Sequence, residues 1–231
     1  MKYAITNGKV LDGTTDMYVQ ENLVILVEDE KIQALVPAGT DLTNYEIVDL
    51  AGQYIMPGLI NMHVHLAGSG KPQKKQRDNE KLVNQIMSTG LTRKIAYNMV
   101  CGFAKQELYS GVTTIRTVGG LGEFDSRLRD DIAVGKKIGP RILAANQGIS
   151  VPGGHMAGSV AIAAHNNEEA IAHLEKSEKQ GIDLVKLMIT GGVMDAKEKG
   201  VPGELKMQPE MVRAVCDKAH EAGYIVAAHV E

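Results

Sequence analysis

After residue 55 the sequence repeats one pattern: a short apolar run, β-branched at 112–118, a polar or glycine-rich close, then a stretch with helical character. The runs occupy residues 55–66, 112–118, 141–145, 184–189 and 224–229. Helix-permissive segments at 78–109, 124–134, 168–180 and 209–222 separate them. Gly90 and Gly102 are candidate breaks in the first segment. The third has Asn166 or Asn167 as N-cap and Gly181 as stop, and the fourth has Pro209 in its first turn and Gly223 beyond its end. Such alternation implies a parallel sheet with helices outside it. Sheets of this kind carry their sites where the strands end, in a (β/α)8 barrel or an open doubly wound sheet. No G-x-G-x-x-G or G-x-x-x-x-G-K-[ST] pattern occurs, which removes the best support for a nucleotide-binding open sheet. The barrel is the expected α/β fold.

Length qualifies that expectation. A whole barrel takes about 250 residues, roughly 31 per strand–helix unit. Residues 55–231 number 177, enough for four helices and a fifth strand. The expected barrel is therefore its first half only, strands 1 to 5. Residues 1–54 have a different texture, with short strands at 3–6, 9–11, 23–27, 32–36 and 47–50 and turns at Asn7-Gly8, Asp12-Gly13 and Asp29-Glu30-Lys31. Strands this short need a second layer, so 1–54 is expected to be a small β-sandwich part and 55–231 the barrel part.

Composition narrows the function classes. The chain is 44% hydrophobic and 23% charged, as in ordinary globular proteins. A formal charge of −3 gives no reason to expect nucleic acid or an anionic membrane as partner. No apolar run approaches the ~20 residues of a membrane span, and Asn7, Gly8 and Lys9 interrupt any signal-peptide core. Cys101 and Cys216, far apart in sequence, suggest reduced thiols and a cytoplasmic location.

The chemistry begins in residues 55–66. Alternate residues of a strand share a face, so His63 and His65 project side by side where the strand loosens into Ala67, Gly68, Ser69 and Gly70. Two imidazoles placed so make half of a divalent-metal site; the plain alternative is a pair of hydrogen-bonded buried histidines. Lys186 lies inside an apolar strand, where a bare ammonium is unfavourable and burial lowers its pKa toward the neutral amine. The alternative there is an edge-strand lysine reaching solvent. His229 ends the last strand as a ligand or as a donor to a backbone carbonyl. His155 follows the third strand in Pro152-Gly153-Gly154-His155, where it meets a substrate carboxylate or carbonyl, or is a surface loop residue. Arg116 ends the second strand and pairs with a substrate carboxylate or makes a structural bridge, with the structural role favoured. His165, His173 and His220 read as surface or structural, and the methionines as core filler.

Met56-Pro57-Gly58-Leu59-Ile60-Asn61-Met62-His63-Val64-His65 resembles the first-strand motif of the amidohydrolase superfamily of metal-dependent hydrolases. Gly111-Val112-Thr113-Thr114-Ile115-Arg116, Pro152-Gly153-Gly154-His155, Val185-Lys186-Leu187-Met188-Ile189-Thr190-Gly191-Gly192 and Ala228-His229 are most similar to its prolidase-like and imidazolonepropionase-like branch. The likeness covers essentially the whole chain and is specific for the superfamily rather than for a substrate.

That resemblance implies a role for each residue. His63 and His65 would ligate the more buried metal and His229 a second. One or two divalent ions are implied, zinc by default, with Lys186 carrying a CO2-derived carbamate that bridges two of them and His155 and Arg116 on the substrate side. The implied activity is metal-assisted hydrolysis of an amide C–N bond, with a dipeptide or N-acyl amino acid as small-molecule substrate. A cyclic amide or imidazolone hydrolase, or a deaminase, lies within the same superfamily. A homo-oligomer is expected. The family's acid/base aspartate and sixth-strand histidine would fall beyond Glu231, so no catalytic acid is assigned. A non-catalytic half-barrel that binds metal or a partner chain is the reading from a different class; a sugar-phosphate barrel enzyme fits the N-terminal part and the His-x-His pair poorly. The chain also departs from the family pattern at Thr117, where an Asp usually follows the Arg.

Overall fold

The computed structural model describes residues 1–70, 78–192 and 203–231. Two units divide at Gly58, Met1–Gly58 and Leu59–Glu231.

The first unit holds β1 (Lys2–Thr6), β2 (Lys9–Val10), β3 (Leu23–Glu28), β4 (Lys31–Pro37), β5 (Glu46–Asp49) and β6 (Tyr54–Ile55). Four strands form one sheet in the order β4-β3-β1-β5, and β2 pairs with β6. Strands β3 and β4 make a hairpin whose loop residues, Asp29 and Glu30, both have positive φ, 48° and 66°. Both central positions are left-handed, as a tight hairpin that follows the strand twist requires. The parallel pairing of β6 with β2 carries this unit to Gly58, beyond the boundary at 54 suggested by sequence.

The second unit alternates strand and helix: β7 (Leu59–Val64), α1 (Asn79–Met87), α2 (Gly90–Tyr109), β8 (Val112–Thr117), α3 (Phe124–Ala133) and β9 (Arg141–Ala144). There follow β10 (Gly148–Ser150), β11 (Ala161–Ala163), α4 (Asn167–Lys179), β12 (Leu184–Met188), α5 (Pro209–Glu221) and β13 (Ile225–His229). Strands β7-β8-β9 form one parallel sheet and β11-β10-β12-β13 another, with every pairing in both parallel.

Caps set the helix limits. The side chains of Asp78, Thr89 and Asn166 accept the backbone N–H of Lys81, Thr92 and Glu169. The long segment 78–109 therefore breaks at Thr89 and Gly90, while Gly102 continues inside α2. Two elements lack a sequence signal. Three-residue β10 and β11 are too short to show periodicity, and Asn146, left-handed at φ 55°, separates β10 from β9.

Each sheet packs its helices against one face. Ile115 and Ile142 meet Ala96, Val100, Phe124 and Leu128, whereas Val185 and Leu187 meet Leu174, Met211 and Val215. The opposite faces join where Val118, Ala145 and Leu184 pack together. The apolar run at 55–66 reads by sequence as a buried strand, but β7 is not one, since Ile60 is 63% exposed and Leu59 and Met62 are exposed as well. Among the described residues β7 pairs only with β8, so it is an edge strand. At the other edge β13 pairs, among the described residues, only with β12, and Ile225 is exposed.

Candidate functional site

Strand register decides which side chains share a face. Val64, Thr117 and Ala144 are successive partners across β7, β8 and β9. The residues on either side of them, His63, His65, Arg116, Val118 and Ala145, lie on the other face. In the second sheet Lys186 pairs with Ala227 and Met188 with His229, which puts Lys186 and His229 on one face. Because Leu184 on that face packs on Val118 and Ala145, the two sets belong to one surface at the strand ends.

Lys186 is the most constrained member. It is 2% exposed on β12, which is flanked by β10 and β13, so it is not an edge lysine reaching solvent. Its ammonium has no hydrogen bond or ion pair among the described residues. Burial, and then the charge of Arg116, bring its pKa down to about 8. Gly148 packs against its stem, since a Cβ there would lie 3.2 Å from Lys186 Cγ.

His63 and His65 stand edge to face with ring centroids 5.3 Å apart. Loss of solvent around the rings lowers the pKa of both, although His65 is half-buried and His63 still reaches solvent. Lys186 acts in the same direction on each, and His229 adds to it. The Gly119 carbonyl lies 2.9 Å from His65 Nδ1. A carbonyl only accepts, so Nδ1 carries the proton and the Nε2 lone pair is left available.

His229 stacks on His155, with centroids 4.0 Å apart and planes 12° from parallel. Its Nε2–H donates to the Gly191 carbonyl at 3.3 Å, which leaves the Nδ1 lone pair. Burial and then His155 lower its pKa, with the Gly191 bond opposing them. His155 also fills the space beside Gly192, where a Cβ would overlap its ring. Arg116 Nε donates to the Met62 carbonyl at 2.8 Å, a structural bond across β7 and β8. The other histidines lie elsewhere: His173 donates to Gln147 O, and His165 Nδ1 lies against Glu169.

The structure thus gathers His63, His65, Lys186, Arg116, His155 and His229 on one surface, grouping the imidazoles as two pairs. Among the described residues no three His, Cys, Asp or Glu side chains meet closely enough to be a ready ligand set. The chemistry of the donors nevertheless fits a divalent ion. Neutral imidazole is the ligand form, and burial with like-signed neighbours holds His63, His65 and His229 in it. These six residues include two cationic side chains and no carboxylate, so a divalent ion held here calls for an added anionic ligand.

Sequence reasoning missed the layer behind this surface. Thr117 and Asp125 are buried, and among the described residues neither the Thr117 hydroxyl nor either Asp125 oxygen has a hydrogen-bond partner of good geometry. Burial pushes the Asp125 carboxyl up to about 6, opposed by the nearby Thr117 hydroxyl. Asn146 and Ser126 are buried beside them. An acid, an amide and two hydroxyls scattered over separate elements carry no motif.

Comparison with solved structures agrees with this architecture. A Bifidobacterium longum protein described as a candidate prolidase is 32% identical, with a TM-score of 0.75 over 99% of this chain and 49% of its own. A Xaa-Pro dipeptidase with bound methionine in its active site is 28% identical, with a TM-score of 0.77 over 100% of this chain and 57% of its own. A dihydroorotase of Syntrophotalea carbinolica is 40% identical over 77 residues, 32% of this chain and 17% of that protein. The chain thus spans about half of these solved structures and a much smaller part of the dihydroorotase. No helix among the described residues is long and apolar enough to cross a membrane. Residues 54–231, well over half the sequence, match the amidohydrolase family, and the chain belongs to that family.

Proposed function

We propose that this chain supplies the first five strands of a (β/α)8 barrel, and the metal-binding face, of a hydrolase that cleaves an amide C–N bond. A dipeptide of the Xaa-Pro type, or a related N-acyl amino acid, is the leading substrate. The observation that carries the reading is Lys186, buried on an inner strand with no anionic partner among the described residues and acting electrostatically on His63, His65 and His229. The substrate class draws support from the 32% identity, over nearly the whole chain, to a protein described as a candidate prolidase. The dihydroorotase likeness covers too little of that protein to direct the choice.

In this reading His63 and His65 hold one divalent ion through neutral imidazole nitrogens, and His229 contributes to a second. Zinc is the default ion, in a homo-oligomeric, cytoplasmic enzyme. Lys186, whose pKa is about 8, presents a usable fraction of neutral amine near neutral pH. That amine can add CO2 with release of one proton, replacing a buried cation by a carbamate anion whose oxygens would serve as metal ligands. Bound ions would supply a water of lowered pKa and polarise the scissile carbonyl. His155, seated on His229, faces the substrate and orients its carboxylate or carbonyl. Arg116 keeps the end of β7 in register through the Met62 carbonyl, and its charge favours an anionic substrate.

The test is hydrolysis of a panel of Xaa-Pro and other dipeptides by the zinc-loaded enzyme in which this chain is part of a full barrel, with released amino acids quantified. Turnover that depends on zinc and ceases on chelation supports the reading. A protein that binds zinc stoichiometrically yet cleaves no dipeptide or N-acyl amino acid overturns the substrate assignment.

A further inference from the structure

The Gly119 carbonyl that accepts the hydrogen bond from His65 Nδ1–H belongs to a turn held from behind. Gly119 has φ 137°, and a Cβ on it would lie 3.1 Å from His65 Nδ1 and Cε1, so only glycine brings its carbonyl this close to the ring. The next residue, Gly120, donates its N–H to the Asn146 carbonyl at 2.9 Å. Asn146 follows β9 in the left-handed region and is fully buried.

Both ends of the Asn146 amide are used on one residue of α3. Its Oδ1 accepts the Ser126 backbone N–H at 2.9 Å, and its Nδ2 donates to Ser126 Oγ at 2.9 Å. Ser126 Oγ in turn donates to the Glu123 carbonyl at 3.2 Å. Asp125, beside Ser126, fills the space where a side chain on Gly120 would stand. A left-handed, buried, non-glycine residue is an uncommon and strained choice. Here it is what lets one backbone carbonyl and one side chain reach the Gly120 turn and α3 together.

We propose that Asn146 is a positioning residue for His65. With Ser126 it clamps the Gly119–Gly120 turn to the start of α3, so that the Gly119 carbonyl selects the Nδ1–H tautomer and leaves His65 Nε2 for a divalent cation. The inference rests on reading His65 as a ligand. Outer partners of this kind typically change metal affinity by about 10- to 100-fold when lost.

The test uses Asn146→Gly, which removes the amide but tolerates the left-handed backbone, and Ser126→Ala, which removes one hydroxyl. Should Asn146→Gly fail to fold, Ser126→Ala carries the measurement. Two readouts are taken in the purified protein: the ring ¹⁵N shifts of His65 without metal, and zinc affinity by chelator competition. The expected result is an Nδ1–H tautomer in the native protein, a tautomer mixture in the variants, and zinc binding weakened by about 10- to 100-fold. A role confined to capping α3 would lower Tm while both readouts stayed native, which overturns the proposal. Altered tautomers in a protein that never binds zinc at His65 would sink the ligand reading and leave the positioning role standing. An Nε2–H tautomer in the native protein overturns the positioning role directly.

Discussion

His155 and His229 stack face to face, their rings 4.0 Å apart and 12° from parallel. The contact joins the loop after β10 to the end of β13, and it separates two roles for neighbouring imidazoles. His229 comes from the strand whose pairing with β12 places it on the face of Lys186. His155 stands on the His229 ring, where a substrate can meet it. His155→Asn is expected to lower kcat/KM by about 100-fold, the scale of one lost polar contact to a developing charge. Metal content measured by mass spectrometry should be unchanged; its loss would make His155 a ligand instead.

The His63 and His65 pair has the opposite signature. Replacing both with Ala should remove one equivalent of tightly bound zinc per chain while the fold persists, because His63 is exposed and β7 is an edge strand. Far-UV circular dichroism with elemental analysis checks both points. Full zinc occupancy after the double change would show that the pair does not bind the ion.

Lys186→Ala is expected to reduce kcat/KM by at least about 10³-fold, several kcal/mol of lost stabilisation. Acetate or propionate should restore part of the activity, by entering the space of the removed side chain as a replacement carboxylate. Native activity in this variant would remove Lys186 from the centre. Activity lost without rescue by either acid would leave the lysine needed but not as a carbamate.

Asp125 predicts a dependence of stability on pH. Its carboxyl rises from an ordinary 3.8 to about 6 in the folded chain. The folded state therefore binds more protons than the unfolded state between those values, and stability from this residue falls as pH increases across that interval. Below about pH 4 the effect is absent, and above about pH 6 it is complete. At about 1.4 kcal/mol per pH unit, the burden approaches about 3 kcal/mol. Asp125→Asn should remove it, so urea unfolding at pH 4.5, 6 and 7.5 should show the variant gaining on the native protein as pH rises. A constant difference across the three conditions would mean that Asp125 is ionised throughout.

Much of the second unit was legible because local signals coincide there. A β-branched run marks β8 and an apolar one β12, Asn166 and Gly181 frame α4, and Pro209 opens α5. Alternation along the strands was enough to put His63 beside His65 and Lys186 within an apolar run. Exposure of β7 was not legible, because an apolar sequence states what a strand can bury and not whether a neighbour covers it.

The sequence by itself determined the parallel strand–helix order and the residue types able to hold a divalent ion, since both follow from spacing along one chain. Only the tertiary structure decided that Lys186 is enclosed between β10 and β13, and that His229 stacks on His155. It alone decided that Asn146, Ser126 and Asp125 stand behind the turn that orients His65. Those relationships join residues from separate strands and helices. They come from the register and packing of whole elements, on which the local pattern around each residue is silent.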